Sequence, residues 1–272
     1  MLRDGLFAGE VAVVTGGGSG LGREISLRFA ALGAHVALLG RREEPLAATA
    51  AAIIAAGGRA SWKAGTIRNR ADVDAFWEFA EREAGLPTIL INNGGGQFVQ
   101  PAIDISPKGW NAVIDTNLTG TWNMMQAAAQ LWRARGRGGR VVNVVLDVWR
   151  GIPGMAHSVA ARAGVIYLSK TLAVEWAPLG IRINCIAPGI IETPALDTYP
   201  EAVRSKLRTD ANPLRRTVDP REIAEICAMA AAPAMSFMTG EVITIDGGQQ
   251  LWGDVWGIQK PDHFRFDEEP GK

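Results

Sequence analysis

Short apolar runs alternate with longer amphipathic stretches along the whole 272-residue chain, and this alternation predicts its architecture. Residues 10–15 (EVAVVT), 35–39, 60–66, 88–91, 140–145, 182–187 and 241–245 read as seven strands. The stretches between them read as helices over 23–32, 43–56, 72–83, a long segment after Ser106-Pro107, 158 to about 176, and 221–232. Gly57-Gly58 is a fitting helix stop, and Ser106-Pro107 a fitting cap and first turn. Strand and helix in strict succession imply a single α/β domain, a doubly wound parallel sheet of about seven strands with helices on both faces. Ligands of such sheets bind at the carboxyl ends of the strands. Two stretches fall outside the pattern. Residues 194–218 are polar and weakly periodic, which suggests a mobile substrate flap with a short helix. Beyond the 1–250 domain, the tail 251–272 carries Trp252, Trp256, Phe264 and Phe266 among polar residues. Such aromatics are expected on a subunit neighbour or on the protein's own surface, with a place in the substrate pocket as the rarer outcome.

Composition narrows the partners. Hydrophobic residues make up 47% of the chain, enough for a buried core. Lys plus Arg and Asp plus Glu balance at 28 each, which argues against nucleic acid or an anionic membrane as partner. Cys185 and Cys227 show neither CxxC spacing nor a His cluster, so they are expected as buried thiols, with no metal site. With no signal peptide and no apolar run of transmembrane length, a cytoplasmic enzyme is the expectation.

Candidate binding residues gather at the predicted strand ends. The first strand runs into Gly16-Gly17-Gly18-Ser19-Gly20-Leu21-Gly22 and then a helix, the arrangement that aims helix N–H groups at a phosphate. Its spacing is Thr-Gly-x-x-x-Gly-x-Gly, and no window satisfies Gly-x-Gly-x-x-Gly. The second strand ends at Gly40-Arg41-Arg42, where an acidic residue would bind the ribose 2′-OH of NAD. Its absence, with Arg41 in reach, favours the 2′-phosphate of NADPH. Thr66 and Ile67 fall where a strand end would pass the adenine. The glycines and amides of 92–97, including Asn93, Gly94 and Gly95, allow close approach of a nucleotide. Pro188, Gly189, Ile191 and Thr193 follow the sixth strand, and Asn117 is a polar residue in a mostly apolar helix that needs a partner or a function.

Taken together, TGGGSGLG at 15–22, NNGG at 92–95, Asn117, PGIIET at 188–193 and DGG at 246–248 resemble the short-chain dehydrogenase/reductase family over about residues 8–250. The resemblance implies a Rossmann-type sheet, a nicotinamide cofactor and frequent homotetramers. Within it, NNGGGQF at 92–98, TNLTGT at 116–121 and HSVAARAGV at 157–165 look like peroxisomal trans-2-enoyl-CoA reductases, with 2,4-dienoyl-CoA reductases close by. That likeness implies NADPH-dependent reduction of an α,β-unsaturated acyl-CoA. Ser158 stands where the family's usual Tyr would be, and Arg162 where dienoyl reductases carry Lys. Asp147 lies near the position of their Tyr, and the usual serine is missing from 144–146.

Ser158 and Arg162, four apart on a helix, share one face. A serine hydroxyl is too weak an acid to protonate a ketone oxygen, and Arg stays charged. Conjugate reduction asks less: charge builds on the thioester oxygen, and a hydrogen-bond donor suffices. Ser158 is the expected donor, Arg162 the expected holder of the nicotinamide ribose, Asn117 their polar support, and water the proton source. Tyr167, nine residues past Ser158, falls on the opposite helix face. His157 reads equally as a solvent-facing residue or as a proton carrier. A carbonyl reductase using His157, and a silent NADPH-binding protein, stand as alternatives. Arg204, Lys206, Arg208, Arg215 and Arg216 read equally as contacts for CoA phosphates or as a solvated charged face.

Overall fold

The computed structural model describes residues 2–194, 196 and 201–262. Its centre is one parallel sheet in the order β3-β2-β1-β4-β5-β6-β7. The strands are β1 Val11–Thr15, β2 His35–Gly40, β3 Arg59–Ala64, β4 Ile89–Asn92, β5 Gly139–Val144, β6 Ile181–Pro188 and β7 Val242–Ile245. The helices are α1 Gly20–Ala31, α2 Glu43–Ala55, α3 Arg70–Ala84, α4 Pro107–Ile114, α5 Gly120–Ala134, α6 Ala156–Glu175, α7 Glu201–Thr209 and α8 Pro220–Ala231. The chain winds outward from β1 to β3, then crosses back to β4 beside β1, with Ala12 opposite Ile89 and Val14 opposite Ile91. That reversal makes the carboxyl ends of β1 and β4 the natural ligand crevice.

Period-two alternation divides the strand side chains between two cores. Ala12, Val14, Val36, Leu38, Ile89 and Ile91 pack with Ile25, Phe29, Ile53, Ile223 and Cys227 of α1, α2 and α8. The intervening Val13, Ala37, Leu39 and Leu90 pack with Phe76, Trp77, Met124, Trp132 and Leu172 of α3, α5 and α6. Strands buried on both faces must be largely apolar, which explains the short apolar runs in the sequence; the buried Thr15, Asn92, Asn143 and Asn184 are the polar exceptions. In the second core the indole N–H of Trp132 donates to the Pro87 carbonyl at 2.6 Å, whereas the buried Trp77 Nε1 has no partner among the described residues.

Two expectations change. The long helix after Ser106-Pro107 is two helices, α4 and α5, joined by a π-helical turn at Asp115–Thr119. The third strand ends at Ala64, so Thr66 and Ile67 lie in the turn beyond it. Of the flap, α7 is a nine-residue helix, while 195 and 197–200 lie outside the described residues. Phe264 and Phe266 of the tail also lie outside them. Among the described residues no helix is long and apolar enough to cross a membrane, and no group of His, Cys, Asp and Glu could hold a metal ion. Both cysteines are free and buried. Desolvation pushes the Cys185 thiol up to about 11 and the Cys227 thiol up to about 12, so neither is a thiolate at neutral pH.

Candidate active site

A cleft of about 670 Å³ opens at the carboxyl ends of β1, β2 and β4. It is lined by Gly16, Ser19, Gly20, Arg41, Arg42, Thr66, Ile67, Asn93, Gly94, Gly95 and Thr193, all expected from the sequence. Its floor is backbone. Gly16 has φ +67° and donates its N–H to the Leu39 carbonyl at 2.7 Å. A Cβ on Gly22 would stand 2.1 Å from the Gly16 oxygen, so only glycine lets α1 start this close to β1. Ser19 is the N-cap of α1 and makes no side-chain capping bond. The first-turn N–H groups of α1 are thus not met by their own cap, as a phosphate site requires. Thr15 ties β4 to this floor: its hydroxyl accepts from the N–H groups of Asn93 (3.1 Å) and Gly94 (2.8 Å), and its carbonyl from the Asn93 amide at 3.1 Å. Leu21, Gly22, Pro188, Gly189 and Ile191 stand behind the lining. Gly189 donates to the Ile245 carbonyl at 2.9 Å, and Ile191 bridges to Val218.

The cleft's electrostatics have one sign. Arg41, Arg42 and Arg68 line it, and no carboxylate appears among its described lining residues. Arg68 was not singled out from the sequence. It reaches across to α4, donating to the Ala112 carbonyl at 2.6 Å and to the Thr116 hydroxyl. Its only advance signal is a basic residue just after Thr66-Ile67. These features fit a dinucleotide with an extra phosphate: a glycine floor, an uncapped helix start and three guanidinium groups.

Next to this cleft, α6 brings Ser158 and Arg162 to one buried face, as their spacing predicts. The Ser158 hydroxyl donates to the Gln97 side-chain oxygen at 2.7 Å. Gln97 was quoted only as part of a motif, and no local pattern couples two residues 61 apart. Arg162 donates to the Val144 carbonyl at 3.0 Å. Desolvation lowers its pKa to about 10, so it stays a cation at neutral pH. A Cβ on Gly95 would stand 2.1 Å from Arg162 Nη2, which places the guanidinium directly behind the cleft wall. Asn117, in the π turn, grips the same loop beside Arg162. Its Oδ1 accepts from the Gly96 N–H at 2.9 Å, and its Nδ2 donates to the Gly96 carbonyl at 3.0 Å. A π turn displaces one residue from the helical ladder and often marks a functional site. Here it carries Asn117 to the loop.

The outlying candidates separate cleanly. The solvent-facing reading of His157 is wrong: the residue is fully buried, edge-on to Phe98 with ring centroids 4.4 Å apart. Its Nδ1 accepts from the Ser158 backbone N–H at 2.8 Å, and its buried Nε2 has no partner among the described residues. Burial lowers its pKa, which favours the neutral ring. Tyr167 is 69% exposed, on the far side of α6. Val144 and Val145 are buried apolar residues where a hydroxyl would serve a ketone. Arg208 pairs with Glu192 at 2.6 Å, Arg216 with Glu222 at 2.7 Å, Arg204 with Glu201, and Arg215 with Asp210 at 3.8 Å. The flap arginines therefore already have carboxylate partners, as on a solvated charged face. The tail folds back onto its own chain. Gly257 donates to the Pro153 carbonyl at 3.1 Å, and Arg150 donates to the carbonyls of Gln249 and Gly253.

A family model described as "Enoyl-(Acyl carrier protein) reductase" matches residues 16–250. The chain is 37% identical over 246 residues to a probable 2,4-dienoyl-CoA reductase of Bacillus subtilis (strain 168), covering 89% of this chain and 97% of that one. It is 33% identical over 242 residues to the 3-oxoacyl-[acyl-carrier-protein] reductase FabG of Thermotoga maritima, covering 88% and 97%. Among solved structures, the citronellol catabolism dehydrogenase AtuB of Pseudomonas aeruginosa PAO1 matches with a TM-score of 0.81 and 38% identity. That match covers 92% of this chain and 98% of that one.

Proposed function

We propose that this chain, which belongs to the short-chain dehydrogenase/reductase family, reduces the α,β double bond of an enoyl-CoA or dienoyl-CoA with NADPH. The observation that carries the reading is the chemistry of the α6 pair. Ser158 is a buried neutral donor, Arg162 a buried permanent cation, and neither is a proton-transfer acid. The three arginines along the cleft support NADPH over NADH, because a 2′-phosphate gains a partner there and meets no carboxylate.

Gly16, Ser19 and Gly20 would receive the cofactor's phosphates, Arg41 and Arg42 its 2′-phosphate, and Asn93 to Gly95 its nicotinamide half. The chemistry supplied by the bound cofactor is a hydride, delivered to the substrate's β-carbon. Ser158 turns its hydroxyl from Gln97 to the thioester oxygen, where negative charge grows. One such donor contributes about 3 kcal/mol, a hundredfold or more in rate. Arg162 adds a fixed positive field behind Gly95, and Asn117 holds Gly96 so that this wall keeps its shape. The α-proton comes from water. His157 is poorly suited to act as acid for a ketone, since its Nδ1 is committed to the Ser158 backbone and burial favours its neutral form. The proposed working unit is a cytoplasmic homotetramer. Exposed Tyr167 and Val174 on α6 and Trp110 on α4 offer apolar surface to a subunit neighbour, and light scattering reads the order.

The test is NADPH consumption with a trans-2-enoyl-CoA, a 2,4-dienoyl-CoA and a 3-oxoacyl-CoA in parallel. Turnover of an enoyl or dienoyl substrate is expected. Turnover of the 3-oxo substrate alone would make the enzyme a carbonyl reductase, the activity named for the Thermotoga relative, and no turnover at all would leave a nucleotide-binding protein.

A further inference from the structure

The loop between β5 and α6 is held from behind by the chain's C-terminal segment, and the fastening is unusual. Asp147, three residues past the carbonyl that accepts from Arg162, is buried and hydrogen-bonded to Asp246. It also accepts from the Gln249 amide at 3.0 Å and, at 3.4 Å, from the Trp149 N–H. Asp246, just after β7, accepts from the N–H groups of Gly248 (2.9 Å) and Gln250 (2.7 Å). Burial and the adjacent Asp246 carboxyl both disfavour the charged form of Asp147. Burial first, and the Asp246 charge after it, push the Asp147 carboxyl above the usual aspartate range, against the opposing bonds from Trp149 and Gln249. Arg150, on the same loop, sends its guanidinium to the carbonyls of Gln249 (3.4 Å) and Gly253 (2.8 Å). A cavity of about 180 Å³ lies between loop and segment, lined among others by Asp147, Arg150, Pro153, Gln249 and Trp256. The Gln249 Oε1 is buried without a partner among the described residues, so this fastening is incompletely satisfied on one side.

What the fastening holds is close to the catalytic helix. Gly257 donates to Pro153, and Gly154, at φ +92°, lies against Ile258 and Val99. Pro153 and Gly154 lead directly into α6 and Ser158, while Val99 follows Gln97, the partner of Ser158. We propose that Asp147 and Arg150 form a catch that holds residues 249–257 as one wall of the substrate site, and that ionisation of Asp147 loosens it. The charged groups facing Asp147 are Asp246 after β7, Arg150 on its own loop, and Asp254 on the segment, which is paired to Lys260 at 2.7 Å. Since the closed form binds the proton more tightly than the open form, the catch is fully set below the open-state aspartate value. It loosens as pH rises through the higher closed-state value. The enoyl-thioester reading enters only in the choice of substrate; the catch itself is read without turnover.

The experiment is hydrogen exchange on the full chain across a pH series, corrected for intrinsic exchange, with the β5 and α5 peptides as fold controls. In the wild type, protection of 249–257 is expected to fall as pH rises. In Asp147→Asn, which stays neutral at every pH, it is expected to stay level. In Arg150→Gln it is expected to be weaker throughout, and the KM for a trans-2-enoyl-CoA to rise roughly tenfold with a smaller change in kcat. An identical pH profile in wild type and Asp147→Asn overturns Asp147 as the group that sets the catch. Unchanged protection in Arg150→Gln overturns the catch. If no substrate turns over but the exchange pattern holds, the catch stands and the functional reading falls.

Discussion

The two ends of the candidate site, a cofactor end and a catalytic end under the proposed function, are made of different material. The cofactor end is built from backbone: Gly16 at positive φ, Gly22 against the Gly16 oxygen, and Thr15 holding the N–H groups of Asn93 and Gly94. The catalytic end is built from side chains drawn from distant parts of the chain. Ser158 meets Gln97, Arg162 meets the Val144 carbonyl, and Asn117 meets Gly96. Backbone geometry tolerates almost no substitution, because a single Cβ blocks it. Side-chain geometry can keep its shape while its chemistry changes, so one cofactor cradle can serve a phenol–lysine pair or a serine–arginine pair. Proteins similar to this chain are accordingly named for both a dienoyl-CoA and a 3-oxoacyl reductase activity.

The sharpest way to break this comparison is Ser158→Ala. Enoyl-CoA reduction should fall a hundredfold or more, about 3 kcal/mol, with NADPH affinity unchanged by fluorescence titration. A matching loss of cofactor affinity would mean the two ends are not separable. Asn117→Ala removes both bonds to Gly96 and leaves its polar groups unmet. It should cost about 2 kcal/mol in thermal stability and should lower kcat more than it raises KM. At the other end, Arg41→Ala should weaken NADPH by roughly tenfold while barely affecting NADH, measured as paired dissociation constants. Equal weakening of both would remove the 2′-phosphate from Arg41.

The smallest effect is the pH dependence from His157. Burial lowers its folded-state pKa, so the unfolded chain binds the proton more readily. Its contribution to stability is therefore complete above the unfolded histidine value, about 6.5, and erodes as pH falls below it toward the lower folded value. His157→Gln should flatten that part of the acid slope in a series of thermal midpoints. His35, whose pKa is lowered by burial and then by Arg59, should keep its own share.

This division also explains what could be read from the chain in advance. Strands buried on both faces must be largely apolar, so the central strands were visible as short runs; β3 and β7 at the sheet edges are only partly buried, and all seven had ends off by a residue or two. The glycine floor was visible because a turn at positive φ leaves a residue-type signature. The shared face of Ser158 and Arg162 followed from helical spacing alone. The π turn was not visible, since Asp115–Thr119 continues the polar and apolar pattern of a helix. Gln97 as the partner of Ser158, Arg68 at the cleft, and the tail folding onto the 147–155 loop all depend on contacts across the fold. No local period encodes these contacts. His157 was undecided because a ring at a helix start can face either way until Phe98 is known to cover it.

Gly95 gives this division a thermodynamic consequence. Its one face lines the cofactor cleft, and its other face lies against the Arg162 guanidinium. A shift that a bound nucleotide imposes on these few backbone atoms therefore reaches the Arg162 guanidinium, and with it the helix that carries Ser158. Under the proposed function, linkage then requires that the factor by which bound nucleotide changes the dissociation constant of the acyl thioester equal the factor by which the thioester changes that of the nucleotide.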